Sequence, residues 1–251
     1  MQKSISDSSS FQIHPFLRGH LFLFNPHKTK DYTSQQGFKL LMIFLLVEII
    51  LRPIIVVGSK SFKITNHYWW LALIIITLTV LSYLLVRIFT KMNSSQVGLY
   101  AWKHWTKTEK LYFLQIIPIT IIVFSFFSLS QLKLLSTRPN LLGICLFNFI
   151  PQIIWGFYQE LLYRGILQTE LVRRWGSWKG ILVSNSIFTF GPLHDYHFLI
   201  AEKNMSHLWI FIAIFIIGLF FSILFKRSGN LWIIGIMHGL GNLFLDGLTK
   251  I

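Results

Sequence analysis

Seven apolar stretches decide what this chain can fold into. They lie at roughly 38–58, 68–88, 111–131, 140–167, 180–194, 207–225 and 231–249. Crossing about 30 Å of hydrocarbon takes about 20 apolar residues at 1.5 Å rise each, and most of the stretches reach that length. Inside a bilayer every backbone polar group must be satisfied within the protein, which leaves helices as the answer for spans of this kind. The expected fold is therefore all-α: a polytopic membrane bundle of about seven transmembrane helices, or eight if 140–167 breaks at Pro151. The fifth stretch, ILVSNSIFTFGPLH, is short and needs protein or water beside it rather than bare lipid. Only 13% of the residues are charged and 53% are hydrophobic, where a soluble domain carries about a quarter charged. The single cysteine, Cys145, excludes an intramolecular disulfide framework and reads as a packing residue.

Domain organisation follows from the same pattern. Residues 1–37 read as a tail, with a disordered serine-rich start (SISDSSS) and a possible interfacial segment (FLRGHLFLF). Residues 38–251 read as one membrane-embedded helical domain, with no internal repeat, second domain or cleavable signal peptide. Lys and Arg residues fall unevenly on the two sides. The tail and the second, fourth and sixth loops hold thirteen; the opposite loops and the C-terminus hold six. That excess predicts a cytoplasmic N-terminus in a multi-pass cell-membrane protein. The net charge of +14 then serves contact with the anionic lipid bilayer. The basic residues are scattered over many loops rather than gathered, so nucleic acid is not an expected partner.

What remains is a short set of polar residues inside predicted spans. Glu160 and Arg164 are four apart in WGFYQELLYRGIL, so on a helix they share a face and can pair. Phe190 and His194 are four apart in the fifth span, and His238 and Asn242 in the seventh. An ionisable group near the bilayer centre costs about 2.5–3.5 kcal/mol on insertion scales, so such groups face a protein interior. Each alone has a structural explanation: a clamp, a packed histidine, interhelical glue. Together, a carboxylate, two histidines and an amide are the parts of acid–base chemistry with an oxyanion site. Other polar residues weigh less. Asp195, His197, Glu202 and His207 read as solvated, Asp246 as a helix cap, and Pro192 as a kink that turns His194 inward.

These motifs resemble the CPBP intramembrane proteases, also called the CAAX-protease or Abi family. That pattern runs Glu-Glu-x-x-x-Arg, then Phe-x-x-x-His, then His-x-x-x-Asn, each on its own helix. Here the chain reads Gln159-Glu160-Leu-Leu-Tyr-Arg164, Phe190-Gly-Pro-Leu-His194 and His238-Gly-Leu-Gly-Asn242, in the same order, within a core of about 140–247. The resemblance implies a glutamate-type endopeptidase whose site lies in the membrane and opens to the cytoplasm. The first glutamate and His194 would activate a water, His238 and Asn242 would hold the oxyanion, and Glu160 with Arg164 would prop the first motif. No cofactor is expected; a divalent metal such as zinc, if used, would fall to His194, His238 and Glu160. No His-Glu-x-x-His spacing is present.

The departure is Gln159, which stands where the pattern has its catalytic glutamate. An amide can orient a water but cannot take its proton. Glu160 points about 100° away on the helix and has Arg164 as a partner, which makes it a poor substitute. Little or no cleavage is therefore expected of this chain. Either it is a pseudoprotease that captures a partner, as a scaffold or bacteriocin self-immunity protein would, or its working site has been silenced by one exchange. The retention of both histidines, Asn242 and Arg164 favours the second. Expected substrates are peptide or protein precursors at the membrane, with bacteriocin or pheromone precursors favoured over prenylated CAAX proteins. A transporter is disfavoured, since paired broken helices and repeats are lacking.

Overall fold

The computed structural model of the protein describes residues 32–61, 68–202 and 208–247. The expectations for most of the tail, and for His207, lie outside the described residues. Every apolar stretch forms a helix, and among the described residues there is no strand. Helix α1 runs unbroken through Ser34–Leu45, Leu46–Leu51 and Arg52–Ser61, and α2 through Tyr68–Leu85 and Val86–Thr90. Helix α3 is Lys107–Phe127 and the short α4 is Leu129–Ser136. Helix α5 is continuous from Leu141 to Trp175, and α6 is Ser177–Phe190. The short α7 is Asp195–Ala201, α8 is Trp209–Ser228, and α9 is Leu231–Asn242 continued by Leu243–Gly247. Ala72–Thr90, Lys107–Phe127 and Trp209–Ser228 are long and apolar enough to cross a membrane.

Four sequence expectations change. Pro151 does not divide the fourth stretch: it lies just after the π-helical turn Cys145–Phe149, and the helix passes through without a break. Pro192 does not kink the fifth span but ends it. Gly191 before it is extended, as a residue preceding proline tends to be, and Pro192–His194 forms a separate 3₁₀ turn. Cys145 is exposed rather than packed. His197 is buried in α7, not solvated, and its ring stacks on that of His194 at 5.8 Å. Asp195 is exposed, and the side chain of Asp246 lies outside what is described.

The tightest helix pair is α5 against α9. A Cβ on Gly156 would collide with the backbone of Gly239, and one on Gly239 with the backbone of Ile153. Two glycines facing each other let the helix axes approach as small-residue interfaces in membranes do. One end of the bundle is laced by polar contacts. There the Gln36 amide donates to the Thr90 carbonyl at 2.9 Å, Leu231 N–H to the Gly98 carbonyl at 2.9 Å, and Asn230 to Glu109 at 3.3 Å. Gly98 sits at φ 91°, with the carbonyl of Gly229 pressed against its α-carbon face, a position no larger residue fits. At the same end the carboxylate of Glu170 is enclosed. It accepts from Tyr32 Oη at 2.9 Å and Arg173 Nε at 2.8 Å, and also pairs with Arg174. Burial raises the Glu170 pKa, but the hydrogen bonds from Arg173, Tyr32 and Arg174 outweigh it and leave the carboxyl below its usual range.

Candidate active site

Glu160 closes the α-helical segment Ile150–Glu160, and Arg164 lies in the wider π-helical stretch Leu161–Gln168 that follows. Such a stretch shifts the ladder from i−4 to i−5. In keeping with that, the Thr169 hydroxyl caps the Arg164 carbonyl at 2.9 Å. Arg164 is fully buried. Its Nε lies 3.3 Å from Glu160 Oε2, its Nη2 donates to the Gly218 carbonyl at 2.9 Å, and its guanidinium sits 4.0 Å over the Phe188 ring. Gly218 is midway along Trp209–Ser228, a helix of about 30 Å at 1.5 Å per residue. The ion pair thus sits against the middle of α8, sealed from the surface, with Arg164 Nη1 left without a hydrogen-bond partner among the described residues.

The second oxygen of Glu160 is also engaged. His238 Nδ1 stands 2.6 Å from Glu160 Oε1, across the α5–α9 contact. Against a carboxylate already paired with a guanidinium, that nitrogen is the donor, which puts the lone pair of the neutral ring on Nε2. The His238 ring stacks on Phe221 at 5.4 Å. His194 follows the same logic: its Nδ1 lies 2.7 Å from the Phe188 carbonyl, which can only accept, so its lone pair too is on Nε2. Phe188 joins the set, its ring 4.9 Å from His194, 6.0 Å from His238 and beneath Arg164. Three helices, α5, α6 and α9, and the turn after α6 therefore meet around one phenylalanine.

Gln159 and Asn242 lie within a turn of the same glycine contact. Gln159 Oε1 and Asn242 Nδ2 are both buried and meet no hydrogen-bond partner among the described residues. One is an acceptor and the other a donor, and each is costly to leave unpaired, so each is suited to a water or a substrate group. His194, His238 and Glu160 are not gathered into a chelating cluster. Among the described residues no group of three or more His, Cys, Asp or Glu is placed to hold a metal ion.

Residues 139–244 match the family model for type II CAAX prenyl endopeptidase Rce1-like proteins. The match takes in every motif from Gln159 to Asn242 and covers less than half of the chain. No curated protein and no solved structure matches. The matched region is thus of a membrane-protease kind, carried on a helical bundle.

Several residues around this core were not legible in the motifs. Phe190, the motif phenylalanine, is 52% exposed and packs on Phe211 and Phe215; the ring that touches both histidines is Phe188, two residues earlier and on the other side of the helix. Asn185 holds α8 by donating to the Phe215 carbonyl at 2.9 Å, and Gly218 leaves the space that Arg164 needs. A second buried charge pair sits on α1. Glu48 Oε1 is 2.8 Å from Arg52 Nε, and Glu48 Oε2 accepts from Tyr158 Oη at 3.4 Å, next to Gln159 in sequence. Its signal was the one that picked out Glu160: a carboxylate and an arginine four apart in an apolar span.

Proposed function

We propose that the chain is an intramembrane endopeptidase whose rate is held far below that of a glutamate-bearing site by Gln159. The observation that carries this reading is the convergence of Glu160, Arg164, His194 and His238 around Phe188 inside the helix bundle. Gln159 and Asn242, each three residues from the Gly156–Gly239 contact, add a buried acceptor and a buried donor. The family match supports the protease kind. Peptide precursors processed at a bacterial membrane, bacteriocins or pheromones among them, are the substrates we favour over prenylated proteins, because the chain is compact and without long insertions.

The test is the exchange Gln159→Glu, assayed on candidate precursor peptides in detergent or membranes. General-base assistance contributes about 10²–10⁴ in rate, and the variant should gain at least about 10²-fold. Equal rates would show that position 159 is not where the proton goes. A second reading rests on Gln159 itself: a partner-capturing scaffold or immunity protein. Tight peptide binding by both chains, with cleavage by neither, would replace the first reading with this one.

A further inference from the structure

We propose that in this chain the proton of the attacking water is taken by His238 Nε2, with Glu160 behind it as a positioning carboxylate. The proposal rests on the endopeptidase reading and concerns how the present chain, with Gln159, turns over. Gln159 cannot accept a proton at either atom of its amide. Glu160 cannot reach a water directly, because one oxygen is on His238 Nδ1 at 2.6 Å, the other on Arg164 at 3.3 Å, and the residue is fully buried. What it does is fix the His238 ring. With Nδ1–H pointed at the carboxylate, Nε2 is the lone-pair nitrogen, and the stacked ring of Phe221 and the edge-on contact with Phe188 hold the imidazole in place.

Two imidazoles compete for the role. His194 has the same tautomer, but its Nδ1 partner is the neutral carbonyl of Phe188. A carboxylate stabilises the imidazolium that forms during proton transfer; a carbonyl does so much less. The carboxylate-backed ring is therefore the better base, by the logic that makes a buried aspartate or glutamate indispensable behind a catalytic histidine. His238 is also 13% exposed at its side chain, while Glu160 is sealed. Asn242 lies one turn along the same helix face, with Nδ2 buried and unpartnered, and Gln159 Oε1 is an unpartnered acceptor.

The step balances with these groups alone. Water is held through one hydrogen by Gln159 Oε1, and its other proton passes to His238 Nε2. The oxygen bonds to the carbonyl carbon, and the π pair moves to the oxygen, which accepts a hydrogen bond from Asn242 Nδ2. Collapse of that oxyanion breaks the C–N bond, and His238 returns its proton to the leaving amine. Glu160 stays ionised throughout, between the imidazolium and Arg164.

The experiment compares four full-length proteins in detergent: the chain itself, E160Q, Q159E and the double variant. The probes are two quenched fluorescent peptides, one with a farnesylated cysteine near its C-terminus and one hydrophobic and unmodified. The expected result is that E160Q lowers kcat of the parent chain by about 10²–10⁴-fold, yet costs the Q159E protein less than about tenfold. In the latter a carboxylate at 159 takes the proton. A merely structural Glu160 would lower both equally, and that result overturns the proposal. Cleavage by Q159E with none by the parent also overturns it, leaving the endopeptidase reading intact; cleavage by neither removes both. Should E160Q fail to fold, His238→Ala in the parent with added imidazole serves instead. Recovered cleavage is expected, and no recovery by a folded protein overturns the proposal.

Discussion

Glu160 has two partners from two helices, and its removal strands both. Glu160→Ala leaves the buried Arg164 guanidinium with only the Gly218 carbonyl, Asn185 and the Phe188 face around it. Breaking a buried pair by deleting one member costs about 3–5 kcal/mol, and thermal unfolding in detergent should register a loss of that size. An unchanged melting temperature would show that Arg164 finds another anion. The pairing with Arg164 was legible in the sequence because it follows from helical spacing. The pairing with His238 was not, since it depends on the register of two helices separated by 78 residues. His197 and Phe188 were missed for a related reason. Where α6 stops decides which ring turns inward, and spacing read through Pro192 assumed a helix that Gly191 ends.

At the scale of elements, the α5–α9 contact sets the distance between the motifs. Gly156 and Gly239 have no room for a Cβ because the obstacle is backbone, which cannot rotate away. Gly156→Ala or Gly239→Ala should therefore push the helices apart, at about 1–3 kcal/mol for overpacking, and separate His238 from Glu160. Cleavage by the parent chain carrying either change should fall steeply. Gly241→Ala is the control: its Cβ would meet only the Phe124 ring at 3.5 Å, an ordinary contact, and stability should hardly move. If all three alanine variants melt together, close approach is not what positions the motifs. The long helices were readable from apolar length; the short α4 and α7 were not. The π-helical stretch around Arg164 was not, because ladder shifts of one residue leave hydrophobic periodicity almost unaltered.

For the molecule as a whole, the polar end is where pH should act. The Glu170 carboxyl sits below its ordinary value near 4.5 because Arg173, Tyr32 and Arg174 hold it ionised despite burial. Its contribution to stability is complete above that ordinary value and is lost as pH falls through the lowered folded one. The melting temperature in detergent should drop on acidification below about pH 4.5, and Glu170→Gln should flatten that part of the profile while lowering the plateau. A variant whose acid limb matches the parent's would place the sensitivity elsewhere. Gly37 belongs to this lock, since a Cβ there would run into the Glu170 carboxylate.

The 78 residues between Glu160 and His238 also set an order of events during biosynthesis. At about 5–20 residues per second, roughly 4 to 16 s pass between the synthesis of one and the other. During that interval Glu160 has Arg164 on its own helix as counter-charge, so α5 can enter the bilayer as a neutral pair. The histidine that completes the constellation is delivered later, by α9. A nascent chain arrested before Leu231 should accordingly insert and stay intact in the membrane, yet be incapable of cutting anything, including the translocation machinery beside it.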